Sequence, residues 1–271
     1  MKALVLGANG QLGSELVRLL GEDSAVPHAA LSITDEPSVE SLIAARRPEV
    51  VFNCAAYNAV DRAESDKDAA FAINGDGPGY IATACQRHGA WFVHFSTNFV
   101  FDGSEAEPYI ESDVPAPLSV YGSSKVAGEE SALRAGTHVL VVRTAAVFGR
   151  TTGRSFPERM VQLAQAGKNL RVVSDQTVNP TYASDLAAAA LDLAQQRFAG
   201  FVHAVADGCA SWDEFARVAL AASGVHIPVE SITTDAFPTP ARRPANGCLA
   251  SIRYHRLRHW KEAVSEWVKN P

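Results

Sequence analysis

A tyrosine and a lysine stand four residues apart in the segment Tyr121-Gly-Ser-Ser-Lys125. On a helix this spacing places the two side chains on one face, close enough to influence each other. A free phenol titrates near pH ~10, and an ammonium group a few ångströms away favours the phenolate and lowers that pKa. The pair therefore suits proton exchange with a carbinol or ketone oxygen. Because the same spacing also occurs by chance on helix surfaces, its meaning depends on the elements around it.

A strand, a glycine-rich turn and a helical pattern open the chain. Residues 3–6 are a short apolar run, typical of a buried parallel strand. Gly7, Gly10 and Gly13 follow with G-x-x-G-x-x-G spacing. Such a turn lets the backbone approach a pyrophosphate, and the helix behind it offers free N–H groups and the positive end of its dipole. The three glycines could form a simple loop, but the flanking strand and helix favour dinucleotide binding.

Apolar strands and helical patterns alternate over the first 149 residues. This alternation predicts an α/β fold with a Rossmann-type, doubly wound parallel sheet and a smaller C-terminal substrate-binding region. Thr97 and Tyr121 would lie with the glycine turn at the carboxyl edge of that sheet. We assign the dinucleotide-binding domain to residues 1–149, with 171–205 returning to it, and the substrate-binding region to residues 150–170 and 206–271.

The residues after the second and third strands bear on the cofactor. Cys54-Ala55-Ala56 leaves the third strand with small side chains, which would let a cofactor lie across the strand ends. Residues 26–30, after the poorly defined second strand, offer neither an acid for a ribose diol nor a lysine or arginine for a 2′-phosphate. The sequence therefore leaves the choice between NADH and NADPH open.

Composition excludes several classes of partner. The formal net charge of −6 argues against a nucleic-acid or anionic-membrane partner. No apolar run approaches the ~18–20 residues that span a bilayer, and the apolar start is too short for a signal peptide. The four cysteines are scattered without metal-ligand spacing, so we expect reduced thiols, no metal and a cytoplasmic location.

These residues together resemble the extended short-chain dehydrogenase/reductase superfamily, and within it the dTDP-4-dehydrorhamnose reductase family. The resemblance runs over nearly the full length. Its motifs are the turn 7–13, Asn53-Cys54-Ala55-Ala56-Tyr57, Asn74, His94-Phe95-Ser96-Thr97, Tyr121 with Lys125, Arg143-Thr144 and Pro238-Thr239-Pro240-Ala241.

The resemblance implies an oxidoreductase that uses NADPH or NADH to reduce the 4-keto group of a dTDP-4-keto-6-deoxy sugar. Tyr121 would give its proton to the developing alkoxide. Lys125 would lower the pKa of the tyrosine and bind the nicotinamide ribose, and Thr97 would hydrogen-bond the substrate oxygen. The resemblance implies cofactor contacts from Gly7, Asn9, Gly10, Gln11, Leu12, Gly13, Asp35, Ala55, Ala56, Tyr57, Tyr121 and Lys125. It implies substrate contacts from Thr97, Asn98, Phe99, Ala146 and Arg243, with the Arg243 guanidinium on the diphosphate.

The chain departs from the family pattern at three places. Asn98-Phe99 stands where the family has Asp-Tyr, and Ala145-Ala146 stands where a tryptophan usually follows Arg-Thr. Ser32 matches an aspartate on the adenine side. The proton-transfer residues are kept while the sugar pocket loses an aromatic wall and a phenol hydroxyl. These changes concern the identity of the sugar more than the reaction type.

Other functions remain open on the same residues. A nucleotide-sugar 4-epimerase needs only the tyrosine, the lysine and a tightly held NAD, and a reductase could act on another keto sugar. A 4,6-dehydratase needs an acid and a base that Asn98 and Phe99 cannot supply. A non-catalytic regulatory or binding subunit, like the beta subunit of methionine adenosyltransferase, shares the resemblance. A homodimer is possible, and Glu15 or Glu64 could meet a divalent ion at its contact.

Overall fold

Short strands rich in valine, leucine and phenylalanine form the centre of the protein. The computed structural model describes residues 1–149, 155–255 and 257–269. The strands, in chain order, are β1 (Ala3–Leu6), β2 (Ala25–Val26), β3 (Val50–Asn53), β4 (Trp91–Thr97), β5 (Val139–Thr144), β6 (Val147–Phe148), β7 (Leu170–Val173), β8 (Thr177–Val178), β9 (Thr181–Tyr182), β10 (Gly200–His203), β11 (Ala206–Asp207), β12 (Ala210–Ser211), β13 (Val229–Ile232), β14 (Asn246–Gly247) and β15 (Leu257–His259).

Helices alternate with these strands. In chain order they are α1 (Gln11–Leu20), α2 (Glu36–Arg46), α3 (Val60–Ala63), α4 (Lys67–Phe71), α5 (Gly77–His88), α6 (Val120–Ala135), α7 (Phe156–Gln165), α8 (Ala183–Gln195), α9 (Trp212–Ala222) and α10 (Trp260–Lys269). A π-helical turn, Ala72–Asp76, joins α4 to α5. Among the described helices, none is long and apolar enough to cross a membrane.

Six strands pair in parallel in the order β2-β1-β3-β4-β5-β10. The chain leaves β1 toward β2 on one side and then continues with β3 on the other, so the strand order reverses between β1 and β3. At that point Leu6 stands beside Asn53, and farther along Thr97 stands beside Thr144. The carboxyl end of such a switch point is where doubly wound sheets bind ligands.

Helices cover both faces of the sheet. On one face α1 and α8 pack together over buried strand residues, with Leu16 and Leu193 in the interface. On the other face α2, α5 and α6 bury Ile43 and Ile81 against the same strands. Because β3 and β5 are enclosed by both layers, all their residues are buried, which explains their continuous apolar runs. The predicted doubly wound α/β fold is confirmed.

The remaining elements form a smaller layer beside the carboxyl edge. β8 pairs with β12 and β14, β7 pairs with β13, and α7, α9 and α10 surround a core that contains Phe215 and Trp260. From the segment 171–205, α8 and β10 join the central sheet while β8 and β9 pair outside it. Residues 150–154 of the predicted substrate-binding region lie outside the described residues, and the division into domains stays a prediction.

Two of the four cysteines form a disulfide in the structure, Cys209 with Cys248. Val178 in β8 pairs with Ala210 on one side and with Gly247 on the other, which brings the two cysteines next to each other with Cα atoms 6.2 Å apart. The expectation of four reduced thiols is therefore wrong for this pair. The sequence does not reveal this pairing, because the two cysteines are 39 residues apart and are brought together by strand β8, which pairs with both of their neighbouring strands.

Candidate active site

Two adjoining cavities lie along the carboxyl edge of the central sheet. The first has a volume of about 450 Å³ and is lined by the ends of β3, β4 and β5 and the start of α6. The second, of about 720 Å³, lies beside the ends of β1 and β2. Gly10, Ala55 and Ala56 line both, so the cavities meet at the switch point. A dinucleotide could extend from one cavity into the other.

The glycine turn between β1 and α1 forms the junction of the cavities. Gly7 has a φ of +75°, and a Cβ atom there would lie 2.6 Å from the backbone nitrogen of Ala55. A Cβ atom at Gly13 would overlap the carbonyl oxygen of Gly7. The absence of side chains lets β3 and α1 approach the turn closely. Since Gly10 has no side chain to cap α1, the first N–H groups of the helix can receive a phosphate.

Polar atoms on the first cavity lack partners within the described part of the chain. The side-chain oxygens of Gln11, Ser96 and Thr144 are buried there without a hydrogen bond. Buried polar groups normally have partners, so these atoms fit a ligand that carries polar groups of its own. Leu12 and Gly13 line the same cavity, and Asn9 lines the second. The turn and these orphan atoms together fit a nicotinamide dinucleotide.

On the side predicted for the adenosine, Asp35 caps a helix. Its carboxylate caps α2, accepting hydrogen bonds from the backbone nitrogen of Ser38 at 3.3 Å and from its hydroxyl at 2.6 Å. Ser32, Ile33 and Thr34 line the second cavity at this point. Asp35 lines neither of the two cavities, because its carboxylate already caps α2, and its cofactor contact stays a prediction.

Asn74 joins the loop after β3 to helix α6. Its side-chain oxygen accepts from the backbone nitrogen of Tyr57 at 2.8 Å. Its amide nitrogen donates to the carbonyl of Tyr57 at 3.1 Å and to the hydroxyl of Ser124 at 3.0 Å. Asn74 is fully buried within the π-helical turn. The loop that lines both cavities is therefore fixed to the residue preceding Lys125.

Two side chains complete the start of helix α6. The Ser119 hydroxyl accepts from the backbone nitrogen of Gly122 at 3.1 Å. The Glu64 carboxylate accepts from the backbone nitrogen of Val120 at 2.8 Å. These bonds satisfy N–H groups that a helix start leaves unpaired, and they hold Tyr121, the second residue of the helix, at the first cavity.

Lys125 is buried beneath the same cavity. Its ammonium donates to the carbonyl oxygen of Phe95 at 2.7 Å. Burial lowers the pKa of Lys125 to about 8, while the nearby carboxylate of Glu129 opposes the shift. The side chain can therefore change its charge within about one pH unit of neutrality, which an exposed lysine cannot do.

Tyr121 and Lys125 both line the first cavity, as the sequence predicts, but the pKa of the tyrosine moves the other way. Burial raises the pKa of Tyr121 to about 12, and a hydrogen bond with Thr97 offsets only part of that rise. The expected lowering of this pKa by Lys125 does not contribute in the free protein. The reason is that both groups are enclosed, so the phenolate loses more from desolvation than it gains from neighbours.

The three residues after β4 have different surroundings. The Thr97 hydroxyl accepts from the backbone nitrogen of Phe99 at 3.2 Å and donates to the Asn98 side-chain oxygen at 3.3 Å. The Asn98 amide donates in turn to the carbonyl of Gly247 at 3.1 Å. Phe99 packs edge-on against the ring of Tyr121, with centroids 5.5 Å apart. Asn98 thus links the Thr97 hydroxyl to β14, a role that sequence reasoning missed.

The two remaining predicted substrate contacts, Ala146 and Arg243, have different surroundings. Ala146 lines the first cavity, in a left-handed conformation with a φ of +41°. The Arg243 guanidinium forms two bonds with the Asp61 carboxylate, at 3.1 and 2.8 Å, and a third with the carbonyl of Ala241 at 2.9 Å. The pairing lowers the pKa of Asp61. Arg243 therefore already has a carboxylate partner.

Val178 and Trp212 also line the first cavity. Both belong to elements outside the central sheet, so they close it from the side of the smaller layer. Sequence reasoning offered no reason to place Trp212 at the site. The pairing of β8 with β12 brings the two residues there, and a pairing over this separation has no local signal.

Acidic residues considered for a metal ion have other partners. The Glu15 carboxylate pairs with Arg18 at 2.9 Å, and Glu64 accepts from the start of α6. Among the described residues, no group of three or more histidine, cysteine, aspartate or glutamate side chains is arranged to hold a metal.

Comparison with known proteins agrees with this geometry. The family model described as the RmlD substrate binding domain matches residues 1–271. The chain belongs to this family. It is 40% identical to a dTDP-4-dehydrorhamnose reductase of Burkholderia thailandensis, over 100% of this chain and 99% of the relative. It is 38% identical to the spore coat polysaccharide biosynthesis protein SpsK of Bacillus subtilis, over 99% of this chain and 97% of the relative.

Solved structures of the RmlD family share the fold over the whole chain. A crystal structure of dTDP-4-dehydrorhamnose reductase from Bacillus anthracis, in complex with NADP, superimposes with a TM-score of 0.96 and 31% identity, covering 100% of both chains. A UDP-glucose 4-epimerase from Thermotoga maritima superimposes with a TM-score of 0.83 at 19% identity, covering 99% of this chain and 98% of the other. The latter likeness concerns the fold alone.

Proposed function

We propose that the protein reduces the 4-keto group of a dTDP-4-keto-6-deoxy sugar with NADPH or NADH, as a dTDP-4-dehydrorhamnose reductase in dTDP-L-rhamnose biosynthesis. The observation that carries the proposal is the meeting of Thr97, Tyr121 and Lys125 on a cavity that joins the glycine turn. Its relatives at 38–40% identity over the full length include enzymes named for this reaction.

Tyr121 is the proton donor in this proposal. With its pKa raised to about 12, the phenol stays protonated at neutral pH and can give its proton as negative charge develops on the substrate oxygen. Thr97 places a second hydroxyl on the same cavity, and its proton, which the free protein directs to Asn98, would turn toward the substrate oxygen when the ketone binds. The Tyr121 phenol is buried on the cavity before reaction begins, and a donor that is already in place needs little reorganisation, which favours the charged transition state.

Lys125 is the group that would return a proton to the site in this proposal. Its pKa of about 8 lets the ammonium return a proton toward the site near neutral pH. Its bond to the Phe95 carbonyl fixes the side chain at the floor of the cavity, where it would also bind a ribose hydroxyl.

The cofactor would lie across both cavities, held by the glycine turn and by Ala55, Ala56 and Tyr57. When bound, the nicotinamide supplies the hydride. The residues that line the first cavity would position the acceptor carbonyl beside the nicotinamide. The wall of Asn98, Phe99 and Ala146 would face the sugar.

A reductase of another nucleotide-linked keto sugar is the second candidate. Ala146 leaves one side of the first cavity without a large side chain, and Phe99 presents no hydroxyl. One relative, 38% identical over 98% of this chain, is named a probable dTDP-4,6-dihydroxy-2-methyloxan-3-one 4-ketoreductase, from Streptomyces antibioticus.

The test is oxidation of NADPH or NADH with dTDP-4-keto-6-deoxy-L-lyxo-hexose generated in situ. The wild type should turn over, and Tyr121→Phe should lose roughly 10²- to 10⁴-fold in kcat, because it removes the proton donor. Cofactor binding, measured separately, should be kept in the variant. A wild type that binds cofactor but gives no turnover would overturn the rhamnose assignment. Turnover of another nucleotide-linked 4-keto sugar would then support the second candidate.

A further inference from the structure

Trp212 lines the first cavity together with Thr97 and Tyr121. Trp212 is the first residue of α9, and it approaches the cavity from the smaller layer rather than from the central sheet. A ligand in this cavity would therefore lie between the two hydroxyls on one side and the indole on the other.

The ring is supported from behind by other aromatic side chains. Phe156 packs against it with centroids 4.7 Å apart and planes at 63°, and Phe215 lies 6.3 Å away at 33°. Trp212 is only partly buried in this cluster. An aromatic ring with one side packed and another part on a cavity wall is a preorganised surface for stacking.

The indole nitrogen distinguishes Trp212 from two other tryptophans. Nε1 of Trp91 donates to the carbonyl of Phe198, and Nε1 of Trp267 donates to the carbonyl of Gly149, each at 3.1 Å. Nε1 of Trp212 makes no hydrogen bond within the described residues. This nitrogen is accessible rather than enclosed, so it can donate to a polar group of a ligand.

The backbone around Trp212 is fixed on both sides. Ser211 pairs with Thr177 across β12 and β8, and its hydroxyl accepts from the backbone nitrogen of Glu214 at 3.4 Å. The same hydroxyl donates to Asp213 at 2.5 Å. The indole is therefore held in position before any ligand arrives, so stacking on it would cost little ordering.

We propose that Trp212 is a specificity-determining residue, whose indole stacks on the apolar face of the 6-deoxy sugar ring and whose Nε1 donates to one of its hydroxyls. This inference rests on the proposed function, because it assumes a nucleotide-sugar substrate. It follows from the cavity, since the ring that presents its carbonyl to Tyr121 is the part of the substrate that shares this space with the indole. A 6-deoxy sugar has a methyl group and C–H faces that suit an aromatic surface.

The kinetic test compares Trp212→Phe and Trp212→Ala with the control Trp91→Phe, whose ring stacks on His138. Trp212→Ala should raise the KM for the keto sugar about tenfold, with the KM for NADPH unchanged. Trp212→Phe keeps an aromatic face but loses the N–H, so its KM should lie between those of the wild type and the alanine variant. A rise in the KM for NADPH alone would assign the indole to the cofactor and overturn the proposal.

A binding test separates this inference from the proposed reaction. Titration with dTDP-L-rhamnose should quench the tryptophan fluorescence of the wild type, and dTDP alone should quench it less. Trp212→Phe should remove the additional quenching, while Trp91→Phe should keep it. Equal quenching by dTDP and dTDP-L-rhamnose, or full quenching in Trp212→Phe, would overturn the stacking role. Because this readout needs no turnover, failure of the rhamnose assignment would leave it interpretable.

Discussion

The two halves of the site are built in different ways. The nucleotide-facing half depends on backbone geometry at adjacent strand ends, where Gly7 lies against Ala55 and α1 begins four residues after Gly7. The substrate-facing half depends on side chains that bond across the molecule, such as Asn98 with Gly247 at a separation of 149 residues. The backbone contacts of the nucleotide-facing half leave no room for added atoms. The substrate-facing half is assembled from single hydrogen bonds that can be removed one at a time.

The largest effect is expected at the glycine turn. Gly7→Ala would place a Cβ atom 2.6–2.8 Å from backbone atoms of Cys54 and Ala55, which cannot move without distorting β3. We expect cofactor affinity, measured by calorimetry, to fall at least about tenfold, with a lower Tm.

The matched control for this substitution is Gly21→Ala. Gly21 also has a positive φ, +94°, but nothing lies within 4 Å of its added Cβ atom. The control should lose about 1–3 kcal/mol of stability from backbone strain and keep its cofactor affinity. Equal losses of affinity in both variants would show that strain, rather than the close approach at the switch point, governs this half.

The next effect concerns Lys125, which lies where the halves meet. Its pKa falls from 10.5 to about 8 on folding, so between these pH values the unfolded chain binds more protons than the native protein. Stability should therefore rise with pH through this window, by up to about 3 kcal/mol from this group. The raised pKa of Tyr121, about 12, acts oppositely only above pH ~10.

Chemical denaturation at pH 7 and pH 9.5 would measure this contribution. In Lys125→Met the free energy of unfolding should rise less between the two pH values, because the variant lacks the group that titrates. Its turnover should fall as well. The same gain with pH in wild type and variant would contradict the assignment of the gain to Lys125.

A smaller effect is expected from the bond between Asn98 and Gly247. Asn98→Ala removes the acceptor of the Thr97 hydroxyl and one donor to the Gly247 carbonyl. We expect a loss of about 1–3 kcal/mol in stability and, because Thr97 is no longer oriented, a lower kcat. Asn246→Ala is the control, since its amide donates to the carbonyls of Glu105 and Glu107, away from Thr97. A drop in kcat as large in the control would mean that general loosening of β14 is responsible.

The smallest effect should come from Arg243. Its pair with Asp61 is partly exposed, with 23% and 41% of the two side chains accessible, so Arg243→Gln should cost about 1 kcal/mol or less. Because the guanidinium is engaged by Asp61, we expect the KM for the nucleotide sugar to change less than about threefold. An increase of tenfold or more would favour the diphosphate contact implied by the family resemblance.

The sequence predicted the nucleotide-facing half well because its signals are local. Glycines at fixed spacing, apolar runs that end in small residues and the spacing of Tyr121 and Lys125 each depend on neighbours in the chain. These features led to the doubly wound sheet and placed both residues of the pair on one cavity.

The rest depended on contacts between distant segments. The partner of Arg243, the disulfide between Cys209 and Cys248 and the position of Trp212 all follow from how the smaller layer pairs its strands. The direction of the pKa shift at Tyr121 also escaped prediction, since it depends on burial rather than on the nearby lysine. The capping role of Asp35 also escaped prediction, since a carboxylate near the second strand suits a helix cap as well as a ribose.

The bond between Asn98 and Gly247 also has a consequence for protein synthesis. The six-stranded sheet is complete once residue 203 has been made, but Gly247, whose carbonyl holds the Asn98 side chain that accepts from Thr97, is made later. At about 5–20 residues per second, residue 247 follows residue 98 by roughly 7 to 30 seconds. A chain still on the ribosome can thus have its nucleotide-binding surface before the hydroxyl is oriented for catalysis.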